Sequence, residues 1–67
     1  MLVRIADYPQ LRLIAWNRPD GAEIDAADAL ALYETNWRFI DLASMDDRER
    51  ELIERLANEF GNGILNV

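Results

Sequence analysis

Apolar residues recur at helical spacing in two stretches of this chain. Leu52, Ile53, Leu56, Ala57 and Phe60 follow the three-and-four spacing of a helix with one buried stripe. Ser44 before them is a capping residue, Asp46 and Asp47 suit the positive end of a helix dipole, and Gly61 suits a left-handed exit. The pattern predicts a helix at about 45–60. The charged residues of MDDRERELIER pair at i,i+4 as Asp46–Arg50, Arg50–Glu54 and Glu51–Arg55, which reads as a solvated helix face.

A second helix is predicted at about 26–41. Asp25 suits its N-cap, with Asp28 three residues on as an acidic counterpart to the Glu of a capping box. Ala26, Ala27, Ala29, Leu30 and Ala31 are strong helix formers. Wound at 3.6 residues per turn, Phe39, Leu32, Asn36, Ala29, Ile40, Tyr33, Trp37 and Leu30 cover an arc of roughly 180°, wider than the roughly 100° stripe of a surface helix. Glu34 and Arg38 lie outside that arc at i,i+4.

The ends of the chain are harder to read. Residues 8–16 admit two states. Asp7-Tyr-Pro-Gln10 resembles an N-cap, a first-turn Pro and an N3 Gln, and so favours a short helix. The branched and aromatic content of LRLIAW suits a strand instead. The helix is the preferred assignment. NRPDG at 17–21 is a turn, and ILNV at 64–67, after GNG, is expected to be a short strand. Its partner would be LVRI at 2–5 or LRLIAW at 11–16. The fold class expected is a mostly α, small α+β domain spanning 1–67, with a minor two-stranded element that includes the strand 64–67.

Length makes the wide apolar arc significant. A chain of 67 residues buries only about 60% of its unfolded surface. With no Cys it has neither disulfide nor thiolate zinc site to reinforce it. An arc this wide, plus Trp16 as a second indole, is more apolar surface than one such chain readily covers. Asn36 within the arc has two accounts. It either bonds a turn backbone or a buried water, or it is a polar contact on a face left open for a partner. The second account makes Leu32, Asn36, Trp37, Arg38 and Phe39 candidate partner-binding residues.

Charge and composition narrow the chemistry. The net charge is −6, with 13 acidic residues against seven basic ones, all Arg. Such a balance disfavours nucleic acid and anionic membrane as direct partners. It also counts against a helix-turn-helix, because the second helix would carry Asp46, Asp47, Glu49, Glu51, Glu54 and Glu59 toward phosphates. There is no His, and the lone Ser and lone Thr have no base to activate them, so no catalytic site is expected. No cofactor or metal site is expected either. Asp46, Asp47 and Glu51 are the nearest approach to a magnesium cluster, and NRPDGAEID lacks the ligand spacing of a calcium loop. No run reaches the roughly 18 apolar residues of a membrane span, and no leader is visible, so a cytoplasmic place is expected.

LYETNWRFID, ERELIERL and FGNGILNV together resemble a group of short, uncharacterised bacterial proteins with the pattern LYE.NWR..D, ER.LI..L, G.G.LNV. The resemblance covers about residues 29–67 and implies no activity. Asn36, Trp37, Arg38, Gly61 and Gly63 are the positions that match it. The function expected is a small acidic protein-binding module that self-associates and has no catalysis of its own. The alternative is an antitoxin-like or accessory protein that covers the basic site of a nucleic-acid-acting enzyme.

Overall fold

A computed structural model describes residues 1–19, 21–61 and 63. In chain order the elements are β1 (Leu2–Arg4), a 3-10 turn at Ile5–Asp7, α1 (Pro9–Ile14), β2 (Glu23–Asp25), α2 (Ala26–Thr35), a 3-10 turn at Trp37–Phe39, and α3 (Asp47–Phe60). This is the small, mostly α, α+β fold that the periodicity predicts. Residues 8–16 resolve in favour of the helix.

The sheet has two strands, but its composition differs from the expectation. β1 pairs antiparallel with β2, Leu2 opposite Asp25, Val3 opposite Ile24 and Arg4 opposite Glu23. The segment 22–25 carries one strongly apolar residue, Ile24, too little periodicity to announce a strand. Its pairing is imposed by the turn before it. Ala22 N–H bonds the Pro19 carbonyl at 3.1 Å and Gly21 takes φ +82°, a left-handed conformation that suits glycine. The strand expected at 64–67 lies outside the described residues.

Helix ends also depart from their sequence signals. α2 stops at Thr35, six residues before the expected 41. Asn36 is the cause: its backbone takes φ −109°, ψ 16°, and its side-chain Nδ2 donates to the Leu32 carbonyl at 2.9 Å. That bond occupies an acceptor in the helix's last turn, where an amide competes with the backbone. Asp25 stands at the N-cap of α2, but its side chain accepts no capping bond.

For α3 the cap is Asp46, whose Oδ1 accepts from Glu49 N–H at 2.9 Å, and not Ser44. A carboxylate in that place also interacts with the helix dipole, which a hydroxyl does not. Ser44 instead donates from Oγ to Asp41 at 2.7 Å in the preceding turn. At the other end Gly61 caps α3 with φ −125°, so it is not left-handed; Gly63 is, at φ +83°.

The core lies between α1, α2, α3 and the inner face of the sheet. Val3, Ile5, Leu11, Ala15, Ile24, Leu30, Tyr33, Ile40, Met45, Leu52, Ile53 and Leu56 are all buried in one cluster. Among the described residues the one buried acidic side chain is Glu49, fully enclosed. Glu49 Oε1 accepts from Gln10 N–H at 3.0 Å, and Oε2 accepts from Leu11 N–H at 2.9 Å and from the Tyr33 hydroxyl at 2.6 Å. A residue expected on a solvated face thus joins three helices from within. The physical reason is α1. At six residues it has no side-chain cap of its own, Tyr8 standing where Asp7 was expected, so its first amides need an anion from elsewhere. Asp7 instead meets Arg48 at 3.5 Å.

Burial, then the Glu49 carboxylate, push the Tyr33 hydroxyl's pKa well above the ordinary tyrosine value. Gln10, also buried, accepts Asp41 N–H on its side-chain oxygen at 3.1 Å, tying α1 to the turn after α2.

Two predictions follow from this arrangement. Glu49→Ala leaves three buried donors without an acceptor and should cost about 3 kcal/mol or more, a large part of the stability of so small a domain. Glu49→Gln keeps one acceptor oxygen and should cost less; equal denaturant midpoints for the two variants would contradict the network. Tyr33, raised in the folded state, contributes stability that is whole below the unfolded pKa of about 10 and declines as pH rises beyond it. An alkaline titration of stability should therefore fall above about pH 10, and fall less steeply in Tyr33→Phe.

Candidate interaction surface

With α2 ended by Asn36, all the candidate residues except Leu32 fall on the turn after the helix and not on its face. Leu32 is half-buried at the last turn of α2. Asn36 is half-buried and bonded to the Leu32 carbonyl, so its amide serves the backbone and does not reach outward. Trp37 packs against the core cluster with part of its indole open. Arg38 lies over the ring of the next residue, its guanidinium carbon 4.9 Å from the Phe39 centroid. Phe39 itself is 65% exposed.

These side chains do not all meet at one place. Trp37 borders a shallow cleft of about 310 Å³ with Leu42, Met45, Arg50, Ile53 and Glu54. Leu42 is 51% exposed and belongs to this surface, although the sequence did not single it out. It looked like part of a helix boundary, and no periodicity marks it because it sits in a turn. Arg50 holds that turn, donating from its guanidinium to the Leu42 carbonyl at 2.9 Å. Asp41 tightens it further, accepting from Ser44 N–H at 3.3 Å and from Ser44 Oγ. Those bonds, the side-chain one foremost, hold the Asp41 carboxyl below its ordinary pKa.

Trp16 lies apart, just after α1, and among the described residues is the most exposed large apolar one at 83%. Leu13, one turn earlier, is exposed as well. The apolar surplus anticipated from the composition is therefore spread over the surface, with Met1, Leu2 and Phe60 also more than half exposed. No helix among the described residues is long and apolar enough to cross a membrane. No group of three or more Asp or Glu among them is placed to hold a metal ion.

No protein-family model matches the chain, and no curated protein or solved structure resembles it. Chemistry and geometry alone bear on function.

Exposure at Trp16 has a direct optical consequence. Replacing it by Phe should remove the iodide-quenchable part of the indole emission and leave the shielded Trp37 component. Stability should stay within about 0.5 kcal/mol, as for surface substitutions in general. A quenching profile unchanged in Trp16→Phe would contradict that exposure.

Proposed function

We propose that this chain is a small acidic protein-binding module of the cytoplasm, without catalytic activity, which self-associates through the turn that follows α2. One observation carries the reading: Leu42 stands exposed in the cleft that Trp37 borders, on a turn pinned by Arg50 and by the Asp41–Ser44 bonds, and Phe39, two residues after Trp37, is exposed as well. Large apolar anchors on a preformed turn, with an arginine beside them, have the composition of interface hot spots. Preorganisation matters because an already ordered turn loses little further entropy on binding.

The roles within this surface are unequal. Phe39 and Leu42 would be the anchors and Trp37 the floor, with Arg38 a polar contact stacked on Phe39. Leu32 and Asn36 contribute indirectly, Asn36 by ending the helix so that the turn exists.

An accessory protein that covers a basic enzyme site has less support. Its acidic surface would be α3, yet Arg48, Arg50 and Arg55 interleave with Asp47, Glu51 and Glu54 there. The Asp47 carboxylate already meets Arg50 at 3.6 Å.

Sedimentation equilibrium tests the reading. The wild type should show an average mass above that of one chain at micromolar concentration. Phe39→Asp should lower it while leaving the far-ultraviolet circular dichroism unchanged, since Phe39 is exposed. Equal masses for the two proteins would remove this turn as the interface, and a monomeric wild type would remove self-association.

A further inference from the structure

The sheet offers a second surface, independent of the turn after α2. Antiparallel pairing alternates between residues whose peptide groups bond the neighbouring strand and residues whose groups turn away. The bonds flanking β1 fix the phase: Ala26 N–H reaches the Met1 carbonyl at 2.9 Å and Ile5 N–H reaches the Ala22 carbonyl at 3.1 Å. Odd-numbered residues therefore bond β2, and the peptide groups of Leu2 and Arg4 point the other way. Among the described residues β2 is the only strand beside β1, which leaves that outer edge without a strand partner. Open edges are commonly protected by shortness, by charged side chains, by proline or by a bulge. β1 is short and carries Arg4, but it has no proline, its register with β2 is continuous, and Leu2 is 60% exposed on it.

We infer that the outer edge of β1 pairs antiparallel with the same edge of a second copy, giving one four-stranded sheet across a twofold axis. The phase of the peptide groups dictates the register. Leu2 lies opposite the partner's Arg4, and Val3 lies opposite the partner's Val3. The Arg4 carbonyl already opens the 3-10 turn at Ile5–Asp7. The ladder is carried by Arg4 N–H donating to the partner's Leu2 carbonyl, a bond returned across the axis.

A second copy suits this edge for reasons of charge and facing. Each strand has the burial pattern exposed, buried, exposed, so Val3 and Ile24 face the core while Leu2, Arg4, Glu23 and Asp25 face solvent. Across the joined sheet one outer row would read Glu23, Arg4, the partner's Leu2, the partner's Asp25. Arg4 lies between a carboxylate and an apolar side chain, and no two like charges stand directly opposite. Arg4 is also the only charged side chain of β1, in a chain whose net charge is −6. The edge itself carries no acidic side chain to repel a second acidic copy. Four strands, moreover, are a sturdier sheet than two short ones.

Cysteine pairing tests the register, since the chain has no cysteine of its own. Leu2→Cys and Arg4→Cys are prepared separately, both on the Phe39→Asp background, so that failure of the turn after α2 as an interface does not affect the outcome. Directly opposed residues in a bonded antiparallel pair have Cα atoms about 5.5 Å apart, within disulfide reach. Mild oxidation of the equimolar mixture should give a covalent dimer containing one of each chain, and each variant alone should give far less.

Arg4→Pro should abolish the pairing without disturbing β2. Arg4 has φ −83°, close to the angle proline requires, and its N–H points outward. No mixed dimer, equal cross-linking by one variant alone, or an association state unaffected by Arg4→Pro would each overturn the inference. So would a monomer whose Leu2 and Arg4 amides resist hydrogen exchange until residues 64–67 are removed, because the chain's own end would then occupy the edge.

Discussion

A buried carboxylate is the constraint on which this fold depends. Taking Glu49 out of water is expensive, and it is tolerable because two backbone amides and a phenol satisfy it. The exchange serves both sides. α1 is too short to be stable alone, and an anion at its N-terminus completes the bonds its first turn lacks. Glu49 is itself held in place, because its own N–H is bonded by Asp46 at the start of α3. With no disulfide available, this polar joint fixes how three helices sit relative to one another, which apolar packing alone leaves less sharply defined.

Links continue outward from that joint to the surface. Gln10, whose own amide is one of the two bonded to Glu49, accepts Asp41 N–H on its side chain. Asp41 in turn holds Ser44, and Arg50 holds Leu42. The turn bearing Phe39 and Leu42 is thus connected to the core by hydrogen bonds from two helices, while Ile40 and Met45 anchor it from below. Rigid presentation of a few apolar side chains comes from the same network that stabilises the fold.

Much of this was legible in the sequence, and the exceptions have physical causes. α3 was readable because its stripe is regular, and α1 because Pro9 in the first turn suits a helix start. The end of α2 was missed because the helical wheel continues smoothly past Asn36. A side-chain bond to a carbonyl four residues back leaves no mark on periodicity. β2 was missed because three residues with one apolar member carry almost no pattern. Glu49 had a signal that was available and discounted: with Met45 it extends the stripe of Leu52, Ile53 and Leu56 at the same three-and-four spacing. A charged residue in phase with a core stripe is a candidate for burial with partners, and Tyr33 on the facing apolar arc was the partner to look for. Leu42 had no signal, since exposure on a turn follows from tertiary structure alone.

Asn36 has one more implication. By halting α2 where it does, it separates the stretch that sets the architecture from the stretch that meets the outside. Between Ile40 and Met45 the backbone is fastened at both ends, yet Leu42, Ala43 and Ser44 between them remain exposed. Substitutions there would change the exposed surface while the helices keep their arrangement. In the role proposed for this turn, specificity could diversify without the scaffold having to be reinvented.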